Sequence, residues 1–328
     1  MDPRRKILQG LALGLLVLAA AEIGLRVIAH LTLRERSVIA DPDLGWRYLP
    51  NVKKVGRFWG RDEPGSTNGQ GWRDAETHLE RGGSGQRLLL LGDSFTFGVL
   101  ADYGERFSEV IEELEPGLEA VNLAMNAIGP DQELRILETA GVAYAPDVVV
   151  LTVFLGNDLD DIRYARKNSH SKPWYELRDG ELLLHAPVVS WDERLRGTSY
   201  VAELLMRPFD RGAHLSEYAP PWREADTVPL FAALVERMER VSREAGAHFL
   251  VILAHRPSRL AGSIDRHEDR AIEALREAGI SLLDTLGPFT AAAGEARQLF
   301  ASDGHWSPAG HQLVAELLAE ELRRRGWI

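Results

Sequence analysis

Ser94 ends the first segment of the chain with the residue types for chemistry: in RLLLLGDSFTFGVL (87–100), four leucines run into Gly92, Asp93 and Ser94. An apolar strand closing on an acid and a hydroxyl has two readings. Asp93 or Ser94 caps the following helix, since both types are favoured there. Alternatively, Ser94 is a nucleophile at the carboxyl end of a strand, where open α/β sheets hold their ligands. A serine hydroxyl attacks poorly at neutral pH unless a base within hydrogen-bond reach takes its proton, and histidine is the usual base. ASDGHWSPAG, near the carboxyl terminus, supplies His305 and, two residues earlier, Asp303 to fix the imidazole tautomer. The oxyanion that forms during acyl transfer needs N–H donors. Three are on offer: the Ser94 amide at a helix start, an amide of the loop around Ala127 in NLAMNAIGPDQ, and the Asn157 side chain in FLGNDLDD.

These residues are far apart in sequence, so the elements must gather them. RLLLLGDS, EAVNLA, DVVVLTVF, HFLVILAH and SLLDT are short apolar or β-branched runs that predict strands. Amphipathic stretches alternate with them: RFSEVIEELEPG, DQELRILETAGVAY, PLFAALVERMERVSREAG, EDRAIEALREAG and PAGHQLVAELLAEELRRRG. Strand alternating with helix predicts a parallel sheet with helices on both faces, and fully apolar strands agree with burial on both sides. That topology places Ser94, the stretch from Asn122 to Gly129, Asn157, and Asp303 with His305 along one sheet edge. Ser307 suits the N-cap and Pro308 the first position of the last helix, which anchors the His305 loop. Residues 159–228 interrupt the alternation. Within them WYELRDGELLLH predicts a hairpin turning at Asp179 and Gly180, followed by YVAELLMRPF and a Pro-rich stretch at 219–229. An insertion here is expected to form a cap or substrate-selecting element over the strands' carboxyl edge, supplying pocket-lining residues.

The whole chain sets limits on what that site serves. Its 328 residues can bury a substantial core, and a net charge of −11 gives no footprint for nucleic acid. No cysteine is present, which excludes disulfides, thiolate metal sites and thiol nucleophiles. At the amino terminus Arg4, Arg5 and Lys6 precede an apolar run from Ile7 to Ala21 that continues past Glu22 to Arg26 and beyond. The run reaches the ~20 residues needed to cross a bilayer only if Glu22 and Arg26 are tolerated, and standing four apart they can pair or snorkel. Residues 1–30 therefore read as an uncleaved signal anchor with its basic end in the cytoplasm, in preference to a signal peptide cleaved near Ala19, Ala20 and Ala21 or to a buried core helix. Either export reading sends the bulk of the chain outward, tethered at the cell membrane or else secreted or periplasmic. Residues 31–84 are rich in turn residues and read as an extended leader packed by Trp46, Tyr48 and Trp72, ahead of a domain spanning 85–328.

Other motifs are absent or secondary. No GxxxxGK[ST] phosphate loop and no GxSxG elbow occurs. Asp158, Asp160 and Asp161 read as solvated turn carboxylates in preference to a metal cluster. His255 follows a strand and is structural, on the surface, or near substrate; Asp284 reads as structural; Trp306 lines an acyl or sugar site or packs in the core.

The blocks GDSFTFG, NLAMNAIGPDQ, LGNDLDD and DGHWSPAGH together resemble the four conserved blocks of the SGNH (GDSL-type) hydrolase superfamily, over about residues 84–325. DPDLGWRYLPN and NGQGWRD resemble the leader of exported, membrane-anchored members. The resemblance implies a flavodoxin-like three-layer α/β/α fold, no metal or other cofactor, and acyl transfer, usually ester hydrolysis, through an acyl-serine. It makes Ser94 the nucleophile and a backbone oxyanion donor, Asn157 a side-chain donor, His305 the base and Asp303 its partner. Two positions depart from the common pattern. Ala127 stands where a glycine is usual. The acid often lies three residues before the histidine, where this chain has Ser302; an acid at minus two occurs in some branches, including polysaccharide-acetylating ones. The expected activity is esterase action on small O-acyl groups of a small-molecule or glycan substrate. The rivals are an O-acyltransferase modifying a cell-surface polysaccharide with the same residues, and a non-catalytic glycan-binding or assembly protein on the same fold.

Overall fold

Leu88 and Leu90 pack on one side of a sheet and Leu89 and Leu91 on the other, which is the two-sided burial that a run of four leucines requires. A computed structural model of the chain describes residues 3–32, 37–53, 57–58, 61–62, 66–80, 85–167, 170–206, 217–218, 227–292 and 296–328. Most of the Pro-rich stretch at 219–229 lies outside the described residues.

The amino-terminal helix α1 (Pro3–Leu31) leads to a leader hairpin of β1 (Val38–Asp41) and β2 (Gly45–Tyr48). The core begins with β3 (Gln86–Leu91), the short α2 (Ser94–Phe97) and α3 (Phe107–Leu114). There follow β4 (Leu118–Asn122), α4 (Pro130–Thr139), β5 (Val148–Phe154) and the single turn α5 (Asp158–Asp161). The insertion comprises β6 (Tyr164–Lys167), β7 (His170–Ser171), β8 (Trp174–Arg178), β9 (Glu181–His185), α6 (Trp191–Thr198) and α7 (Tyr200–Met206). The core resumes with α8 (Thr227–Glu244), β10 (His248–Ala254), α9 (Arg266–Glu277) and β11 (Leu282–Asp284), and closes with α10 (Pro308–Arg325).

Five strands form one fully parallel sheet in the order β11-β10-β5-β3-β4. Helices α4, α8 and α9 cover one face, and α3 with α10 the other. The result is the three-layer α/β/α arrangement with flavodoxin-like strand order. Its topological switch point lies between β3 and β5, where such sheets hold ligands. Ser94 follows β3 and Asn157 follows β5, so both stand at that crevice.

The hairpin expected at Asp179 and Gly180 is present, joining β8 to β9 with both turn residues in the left-handed region (φ 53° and 82°). Ser307 caps α10 by accepting from the Gly310 amide, with Pro308 at the first helical position. In the leader, Trp46 and Tyr48 are buried and Trp72 packs partly against the core. The apolar helix α1 is long enough to cross a bilayer: an 18-residue window has mean hydropathy 2.1 with no buried residue. Glu22 and Arg26, the charges that interrupt it, are joined at 2.9 Å.

Candidate active site

In the Gly92–Asp93–Ser94 stretch the capping role falls to Asp93, and Ser94 begins the helix that follows. The Asp93 side chain caps α2 by accepting from the Phe95 amide at 3.0 Å. Ser94, the first helical residue, is largely buried. Gly92 makes the sharp turn from strand to helix: its φ of 150° is one that side chains rarely adopt, and an added Cβ would stand 2.3 Å from Thr96 Oγ1.

Ser94 Oγ lies 2.8 Å from His305 Nε2, so residues 211 positions apart meet at the sheet edge. Asp303 Oδ2 stands 3.2 Å from His305 Nδ1, within ion-pair range but off the line of a hydrogen bond, while Asp303 Oδ1 accepts from the His305 amide at 3.1 Å. A carboxylate beside Nδ1 favours the tautomer protonated there, leaving Nε2 to accept from the serine hydroxyl. Phe95 supports the imidazole, with ring centroids 5.0 Å apart.

The three donors expected for an oxyanion stand on three separate segments. Ser94 begins α2, where backbone amides lack intrahelical acceptors. Ala127 adopts φ 65°, the left-handed conformation that a glycine takes without cost. Asn157 Nδ2 donates to Asp93 Oδ2 at 3.1 Å and to Asp161 Oδ2 at 3.0 Å, while its Oδ1 has no hydrogen-bond partner among the described residues. Both amide protons of Asn157 are thus held by carboxylates in the resting structure.

Those carboxylates correct the reading of FLGNDLDD as a solvated turn. Asp160 is exposed and pairs with Arg163 at 3.1 Å, but Asp158 and Asp161 are buried, alongside Asp93, Asp131 and Glu133. Burial raises the affinity of each for a proton; in Glu133 and Asp158 the neighbouring Asp93 charge adds to it, and both stand well above the usual carboxylate range. The compensating cations come from the insertion. Lys167 bonds Asp161 at 2.5 Å, and the fully buried Lys172 bonds Asp131 and the Asp161 carbonyl. Through these lysines the insertion is tied to the carboxylates next to Asn157, and its described residues are not among those lining the cleft beside His305. No sequence signal marked the two lysines, because a lone cation in an irregular segment has no periodicity.

The cleft beside Ser94 and His305 has a volume of about 1100 Å³. Phe95, Phe154, Leu260 and Phe300 give it apolar walls, and Arg256, Ser258, Ser302, Asp303 and His305 are its polar side chains. Phe154 ends β5, and Arg256 and Ser258 follow β10, so all three stand at the strands' carboxyl ends as Ser94 does. Two residues left open resolve as structural. His255 is buried and bonds Asp284 at 2.8 Å, tying β10 to β11. Trp306 is 1% exposed and packs edge-on against Phe95, in the core beneath the base.

Residues 254–328 match the family model described as SGNH hydrolase-like domain, acetyltransferase AlgX. The match runs from the end of β10 to the carboxyl terminus and takes in Asp303 and His305. It agrees with the SGNH resemblance of the sequence blocks. No curated protein matches the chain. Among solved structures, the lipase/acylhydrolase from Enterococcus faecalis is 15% identical with TM-score 0.44, over 73% of this chain and 96% of that one. A member of the lipolytic G-D-S-L family from Veillonella parvula is 13% identical with TM-score 0.43, over 73% and 99%. An acetyl xylan esterase variant from Geobacillus stearothermophilus is 15% identical with TM-score 0.43, over 73% and 95%.

Proposed function

We propose that this SGNH hydrolase-like chain is a serine acyl-transfer enzyme that cleaves small O-acyl esters through an acyl-serine on Ser94. The observation that carries the reading is the 2.8 Å contact between the Ser94 hydroxyl and His305 Nε2, with Asp303 at Nδ1. Oγ attacks the ester carbonyl carbon as its proton passes to Nε2. The tetrahedral oxyanion is received by the Ser94 and Ala127 amides, and by Asn157 Nδ2 once it releases one of its two carboxylates. Collapse breaks the bond to the alcohol, which leaves with the proton from the imidazolium, and Asp303 stabilises that cation while it exists. A second hydroxyl then attacks the acyl-serine by the reverse route and returns Oγ its proton.

Water as that second hydroxyl makes the protein an esterase. A sugar hydroxyl makes it an O-acyltransferase, a second reading favoured by the match of residues 254–328 to the acetyltransferase AlgX domain and by Asp303 standing two residues before the base. The site works outside the cytoplasm on this reading, with α1 as an uncleaved anchor whose Arg4, Arg5 and Lys6 stay inside.

Ser94→Ala removes the nucleophile and is expected to abolish p-nitrophenyl acetate turnover; unchanged turnover contradicts the proposal. Product analysis of the wild type with added oligosaccharide separates the two acceptors. A transferase forms acylated sugar faster than free acid, and an esterase forms free acid at a rate the sugar does not change.

A further inference from the structure

Glu22 and Arg26 interrupt the later part of the apolar run of α1, and both reach across to the insertion. Glu22 accepts from Ser199 Oγ at 2.9 Å and from the amides of Tyr200 and Val201 at 3.2 and 3.0 Å, at the start of α7. Arg26 donates to the Thr198 carbonyl at 2.8 Å, at the end of α6. The joint between α6 and α7 is thus fastened to α1 at the two charges that interrupt its apolar surface. Leu18, one turn deeper on α1, shares the wall of a cleft of about 540 Å³ with Trp191, Leu195, Val201 and Leu205.

The outer surface of this pair is apolar and uncovered. Val188, just before α6, is 82% exposed and Trp191 is 72% exposed; Leu204 and Leu205 on α7 are 55% and 59% exposed. The other side of α6 is occupied: Glu193 is buried, accepts from the Ser171 amide and pairs with Arg166 at 3.0 Å. Large apolar side chains concentrated on one face mark an interaction surface. This one adjoins a helix whose apolar window has no buried residue.

From this juxtaposition we infer that α6 and α7 form a second membrane contact, lying in the outer interface of the phospholipid bilayer that α1 crosses. Leu204, Leu205 and Val188 face acyl chains, and Trp191, with its apolar body and polar N–H, sits at headgroup level. The inference rests on α1 being an uncleaved anchor. It gives the domain two attachments to the membrane. The second runs on to the site, since Glu193 on α6 holds Ser171, the next residue Lys172 holds Asp131 and the Asp161 carbonyl, and the Asp161 carboxylate holds Asn157.

The absence of native cysteine makes the test direct, because a single introduced thiol carries the only spin label. Full-length Leu204→Cys and Val188→Cys proteins are labelled with a nitroxide and reconstituted into phosphatidylcholine vesicles. Leu16→Cys on α1 and Asp179→Cys on the β8–β9 turn serve as references. Collisions with oxygen, which concentrates in lipid, are compared with collisions with a water-soluble nickel chelate. Oxygen is expected to dominate at positions 16, 188 and 204, and the chelate at 179. A lipid-immersed label at 16 with either 188 or 204 in water leaves the anchor standing and overturns the inference. A label at 16 in water overturns both. Labels at 188 and 204 shielded from both reagents mean that a second copy or another protein covers the face, which also overturns it.

Discussion

Ala127 is the residue at which the proposed chemistry and the backbone disagree. Its amide is needed toward the oxyanion, and its φ of 65° costs a side-chain-bearing residue roughly 1–2 kcal/mol. Glycine removes that cost but loses more entropy on folding, so Ala127→Gly is expected to stabilise the protein by ~1 kcal/mol while keeping acetyl ester turnover. Thermal unfolding with a turnover assay checks both; a less stable glycine variant would show that the alanine methyl contributes packing that outweighs the strain. Ser94, His305 and Asp303 were legible in the sequence because their types are informative at strand and helix boundaries. Asp158 and Asp161 were misread as solvated because the partners that allow their burial, the Phe154 amide for Asp158 and Lys167 from the unpatterned insertion for Asp161, leave no mark in the sequence.

At the scale of elements, α2 is a single turn and is held by its surroundings. Arg73, buried in the leader, donates to the carbonyls of Phe97 and Gly98 at 2.6 and 2.8 Å and of Ala101 at 2.7 Å, with its guanidinium over the Phe97 ring. Arg106 in turn donates to the Arg73 carbonyl at 2.5 Å. Arg73→Ala takes a donor from three buried carbonyls, of which Gly98 keeps the Ala101 amide, and is expected to cost ~2–3 kcal/mol of stability and over tenfold in turnover. Arg73→Lys keeps the charge without the planar fork and is expected to recover only part of either. Denaturant unfolding and turnover of the two variants test this, and full activity in Arg73→Ala would show that α2 keeps its place unaided. The core strands and helices were readable from period and punctuation. The leader's service to the nucleophile was not, because its acceptors are backbone carbonyls that leave no mark on the sequence.

The whole molecule hides an unusual number of carboxyls, and this sets how its stability varies with pH. Burial raises Asp74 from 3.8 to about 7, with Arg106 opposing the shift. A carboxyl whose native value lies above its unfolded one contributes stability that is fully present below the unfolded value and is lost as pH rises through the native value. For Asp74 that window runs from about 4 to about 7, and the raised Glu133 and Asp158 act in the same sense. Asp74→Asn keeps an acceptor for the Asn122 amide without the charge. Between pH 5 and pH 8 the wild type is therefore expected to lose on the order of 2 kcal/mol relative to Asp74→Asn. Urea midpoints of both proteins at the two pH values give that difference; an unchanged gap would mean that Asp74 stays ionised in the native state.

The central claim is that Ser94 is a nucleophile activated by His305. A fluorophosphonate probe followed by intact-mass and peptide analysis tests it most directly. The account predicts one adduct, on the peptide containing Ser94, greatly slowed in His305→Ala and absent in Ser94→Ala. No adduct on the folded wild type, or an adduct on another residue, would contradict it.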